Sequence, residues 1–88
     1  MDDLEKAETV LEALKTAEQE TPQAALPILN GIAGLIKGDG DDALEVQEAR
    51  TEAFMAICEL GKALHRGLPV DGLWAPAFSA TERWRRLL

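Results

Sequence analysis

The chain has 88 residues, 47% of them hydrophobic and 28% charged, with one cysteine and a formal net charge of −7. That length makes one domain with a thin core, burying roughly 60–65% of the unfolded surface, and the composition excludes a disordered chain. Residues 1–60 hold 14 acidic and 4 basic side chains against 2 and 5 in residues 61–88, an acidic body that disfavours direct binding of nucleic acid or anionic lipid.

The opening "MDDLEKAE" is the opposite of a basic, apolar secretory leader. Asp2-x-x-Glu5 fits a capping box, a short oxygen acceptor followed three residues later by a carboxylate, and predicts a first helix over about 3–19. Leu4, Ala7, Leu11 and Leu14 form its apolar seam, with Glu5, Glu8 and Glu12 off it.

Thr21-Pro22 supplies an N-cap and a proline at the first helical position, predicting a second helix over about 22–37. Ile28, Leu29, Ile32, Leu35 and Ile36 are its inner stripe, and a helix so poor in charge is expected at the centre of the fold. Pro27 is expected to kink or delay its start, and the Gly34–Gly38 pair to permit close helix approach. The apolar run 24–36 is 13 residues long, where a bilayer needs about 20, so no membrane span is expected.

"GDGDDALE" (38–45) looks like a calcium loop, but counting from Asp39 it fails. Positions 5, 6 and 12 fall on Ala43, Leu44 and Arg50 where an EF-hand needs an oxygen ligand, glycine and glutamate. The stretch reads instead as a helix stop at Gly38, a turn, and a second capping box, Asp42-x-x-Glu45. A weak cation site over Asp39–Asp42 is the lesser alternative, and no metal or cofactor is expected.

The third helix is predicted over about 43–66. Its apolar arc (Ala49, Ala53, Phe54, Ala56, Ile57, Leu60, Ala63 and Leu64) spans roughly 200°, more than one neighbour can cover. Ala49, Ala56 and Ala63 recur every seven residues as a smooth edge, so the second neighbour is expected to be another copy of the chain. Arg50 falls inside the arc, as a snorkelling side chain or the partner of a carboxylate on the first helix or a second subunit. Met55 falls between Glu52 and Glu59 as a candidate partner contact. Cys58 and His65 are two turns apart, about 10.5 Å of rise, too far for a nucleophile–base pair.

"HRGLP" (65–69) ends that helix and "PVDG" turns the chain. Residues 73–78, "LWAPAF", are expected to be irregular, and Ser79-x-x-Glu82 to start a last helix over about 80–87. Trp74, Phe78 and Trp84 either close the bundle or form a binding hot spot beside Arg83, Arg85 and Arg86; closure is the favoured reading, because so small a core needs its aromatics.

The class expected is therefore all-α, a small helical bundle completed by dimerisation. The function expected is a cytoplasmic, non-catalytic protein-interaction module acting as adaptor, assembly chaperone or inhibitor. Its candidate partner interface is Ala49, Arg50, Met55, Ala56, Ala63, Trp74, Phe78 and Trp84. The alternative is a nucleic-acid mimic that presents Glu5, Glu8, Glu12, Glu45, Glu52 and Glu59 to a basic protein site.

Overall fold

The computed structural model describes residues 2–36 and 42–88, in which four helices run α1 (Asp3–Glu18), α2 (Pro22–Ala33), α3 (Leu44–Arg66) and α4 (Trp74–Arg86). The first two starts follow the sequence closely. Asp2 Oδ1 accepts the Glu5 amide at 2.8 Å, and Thr21 Oγ1 accepts that of Ala24 at 3.3 Å, with Pro22 behind it. Each cap satisfies one of the amides that a helix N-terminus leaves without an internal partner.

The other two starts differ from expectation. Asp42 does not cap α3, whose N-cap is Ala43 with no side-chain hydrogen bond, because the Asp42 carboxylate is engaged by Arg50. The last helix begins at Trp74, six residues earlier than Ser79 and Glu82 suggested. Pro76 is its third residue, where no amide hydrogen is needed, so a proline that would break a helix interior is tolerated in its first turn. Ser79 therefore lies within α4 and caps nothing.

In α1, Ala7, Val10, Leu11, Leu14 and Ala17 are buried, whereas Leu4 is 41% exposed. At 100° per residue Leu4 stands roughly 80° from Leu14 and Val10 only about 40°, so Val10 replaces Leu4 in the seam. Helix α2 remains helical through the exposed Pro27 and ends at Ala33; Ile36 is buried just beyond it. Gly34 is exposed, with no neighbouring helix against it, and Gly38 lies outside the described residues.

The helices form a ring. Helix α1 packs on α2 and α4, and α3 packs on α2 and α4; among the described residues the diagonal pairs α1/α3 and α2/α4 do not pack closely. Arg50, near the start of α3, reaches Asp3 at the start of α1, so those two run parallel. Arg83, near the end of α4, reaches Glu52 in the first half of α3, so those run antiparallel. The result is an up-down-up-down four-helix bundle. Helix α2 is thus one of four equals rather than the centre. The second neighbour of α3 within the chain is α4, which accounts for two packing faces on its wide apolar arc, while Phe54 in that arc stays 37% exposed. Ala49, Ala56 and Ala63 fall within a turn of Glu52 or Glu59 on that side of α3, and small side chains there let α4 approach.

Helix α3 stops as its sequence indicates. Gly67 has φ +68°, its amide donates to Leu64 O, and the Leu68 amide donates to Ala63 O at 2.9 Å. These two bonds make a Schellman motif, which requires the left-handed conformation at the glycine. A Cβ at Gly67 would meet nothing within 4 Å, so Gly67→Ala costs backbone strain alone, about 1–2 kcal/mol. Thermal unfolding followed by circular dichroism should show Tm lower by about 5–10 °C, with Gly67→Asn losing less.

Candidate interaction surface

Arg50 is 6% exposed, and its Nη1 donates to Asp3 Oδ2 and Asp42 Oδ2, each at 2.7 Å. Burial opposes the guanidinium charge, but the hydrogen bonds and charges of Asp42 and Asp3 outweigh it and raise the pKa. Arg50 is therefore an internal tie. It fastens the start of α1 and the lead-in to α3 across the diagonal of the ring. Of the readings open to it, the structure has the ion pair with a carboxylate of the first helix.

The aromatics close the bundle. Trp84 is fully buried and is the largest side chain in the core, Thr81 and Ala77 are buried one and two turns before it, and Trp74 and Phe78 are half-buried against the same core. Thr81 Oγ1 donates to Ala77 O at 2.8 Å. The Trp84 indole Nε1 has no acceptor among the described residues. Of the three arginines, Arg83 donates to Glu52 Oε2 at 2.7 Å, and Arg85 lines a shallow recess with Glu8, Glu12 and Lys15 of α1.

A groove of about 350 Å³ runs between α2 and α3. Leu26, Leu29 and Ala33 of α2 and Ile57, Cys58 and Gly61 of α3 form its apolar walls, while Asn30, Lys62, His65 and Arg66 line it with polar groups. It exists because α2 carries more apolar surface than two neighbours can cover. Gly61 keeps it open, since a Cβ there would stand 4.0 Å from Leu26 Cδ1. Lys62, His65 and Arg66 make no ion pair or hydrogen bond through their side chains among the described residues. Lys62 and Arg66, two cations that no described carboxylate engages, stand out beside His65 on a chain of net charge −7. Cys58 and His65 share this groove at a two-turn separation.

The residues singled out from sequence are thus dispersed. Ala49, Arg50, Ala63 and Trp84 are buried within the chain, Ala56, Trp74 and Phe78 are half-buried, and Met55 is 61% exposed. The groove residues Leu26, Ala33, Gly61 and Lys62 were not among them. The available signals were the all-round apolarity of the second helix and a glycine inside the third. Among the described residues no three His, Cys, Asp or Glu side chains converge as metal ligands; Asp39 and Asp41 lie outside them. Among the described residues no helix is long and apolar enough to cross a membrane. No protein family matches this chain, and no curated protein or solved structure matches it significantly.

Proposed function

We propose that this chain is a non-catalytic, homodimeric helical module of a reducing cytoplasm that docks a segment of a protein partner in the α2/α3 groove. The observation that carries the reading is the groove itself, with apolar walls and two cations, Lys62 and Arg66, that no described carboxylate engages. Its occupant is an amphipathic segment with apolar anchors and flanking carboxylates, the helix-in-groove mode of recognition. Charge selects for it, because a basic segment would be repelled by Lys62 and Arg66. An adaptor, assembly chaperone or inhibitor would each use such a surface.

Nucleic-acid mimicry has less support. Glu5, Glu8 and Glu12 belong to α1 and Glu45, Glu52 and Glu59 to α3, helices diagonal in the ring. Arg83 also engages Glu52.

Selection from a random peptide library tests the proposal. Binders should be rich in Asp and Glu, with Leu, Phe or Met at three- and four-residue spacing. Their affinity should fall at least about ten-fold for His65→Glu and for Leu26→Asp, as expected when like charge meets at an interface. Circular dichroism should show that both variants remain folded. Basic peptides, or peptides indifferent to both variants, would overturn the groove as the docking site.

A further inference from the structure

The ring of helices leaves the outer face of α3 unpartnered, and its charge pattern identifies what covers it. Leu44, Glu48, Thr51, Met55, Lys62 and Arg66 succeed one another at steps of four, three, four, seven and four residues, a single stripe along the helix. All six are exposed, Leu44 by 68% and Met55 by 61%. Along the stripe Glu48 precedes Met55 and Lys62 and Arg66 follow it, while Glu59, four residues past Met55, borders it on the same side as Glu52. Glu48 and Lys62 stand seven residues to either side of Met55, and Leu44 and Arg66 stand eleven to either side.

We infer that this face pairs antiparallel with the same face of a second copy, about a two-fold axis through Met55. The inference rests on the homodimer part of the function proposed above and names its interface. In that register each Met55 meets its counterpart, and Glu48 of each copy meets Lys62 of the other, about 10.5 Å along the helix on both sides of the axis. Leu44 packs along the aliphatic stem of the opposing Arg66. Residue i touches j and j touches i, as a closed two-fold interface requires. A uniformly acidic partner would be repelled by Glu48 and a uniformly basic one by Lys62 and Arg66, so the pattern complements itself best. Glu52 and Glu59 lie on one margin, where Arg83 already holds Glu52. A single face about 35 Å long is a small interface, so the dimer is weak and salt-sensitive.

Sedimentation or light scattering over a concentration series, with charge-swapped variants, tests this. Glu48→Lys and Lys62→Glu should each weaken the dimer at least about ten-fold, and the double variant E48K/K62E should restore it to within about three-fold of the native chain. Met55→Cys, in a Cys58→Ser background, should form a covalent dimer on oxidation much faster than Glu8→Cys on α1 in the same background. A monomer at every concentration would overturn both the dimer and this interface. A dimer indifferent to the two single swaps, or one that cross-links no faster through residue 55 than through residue 8, would overturn the interface alone.

Discussion

Replacing Trp84 with alanine should lower Tm by about 15–30 °C, or leave the chain unfolded at room temperature. The side chain is fully buried where α4 closes the ring. Truncating a buried tryptophan costs about 3–5 kcal/mol in lost transfer energy and unfilled volume. A domain of this length has a total stability of only about 4–13 kcal/mol, so this one residue carries a large part of the margin. Trp84→Phe separates two contributions. It removes volume, but it also removes an indole N–H buried without an acceptor among the described residues, a group whose burial costs about 1–3 kcal/mol. The phenylalanine variant should therefore lose no more than about 1–2 kcal/mol in chemical denaturation. An alanine variant as stable as the native chain would show that α4 docks by other means.

The second large effect is expected at Arg50. Removing one member of a buried ion pair costs about 3–5 kcal/mol, chiefly because the remaining charge is stranded. Asp3 and Asp42 keep 20% and 35% of their side-chain surface, so Arg50→Ala should cost less, about 2–3 kcal/mol. The double variant Asp3→Asn/Asp42→Asn should cost as much, because it leaves a guanidinium buried with neutral acceptors. Changing all three, with Arg50→Met, should recover most of the loss, since an apolar side chain suits that position in the arc. Urea denaturation distinguishes these cases, and a triple variant no more stable than Arg50→Ala would show that the network contributes more than the cancellation of its own charges. The sign of the pH effect follows from the raised pKa. Stability from such a group is fully present below its unfolded pKa and is lost only as pH rises through the folded one. Both lie in strong alkali for arginine, so Arg50 contributes no pH dependence near neutrality.

The variants also separate the two surfaces. Lys62 and Arg66 border both the groove and the outer stripe of α3, so changes there report on both. Leu26 and His65 report on the groove, and Glu48 and Met55 on the self-paired face.

The all-α class, the first two N-caps and the stop at Gly67 were legible in the sequence, because each depends on residues within one or two turns of one another. Caps, glycine conformation and apolar spacing are local quantities that the chain carries wherever it folds. The same local reasoning failed at Asp42 and Ser79. A capping box is only one use of an acceptor, and Arg50 draws Asp42 into a different one. Ser79 never had the choice, because burying Ala77 and Trp84 on one face extends α4 back to Trp74.

The sequence by itself determined where apolar surface lies on each helix and how much of it exceeds one neighbour. It could not determine which helix covers which face. The excess on α3 pointed to a second copy, yet α4 of the same chain takes up the alanine edge. The excess on α2 pointed to a central helix, yet in a ring of four each helix has two neighbours, and the uncovered part of α2 becomes a wall of the groove. Apolar burial is nearly indifferent to what does the covering, so periodicity fixes the face and leaves the partner open. Only the closing of the ring, with α4 set between α1 and α3, decided that Trp84 is core, that Arg50 is a tie, and that Lys62, His65 and Arg66 meet at one groove.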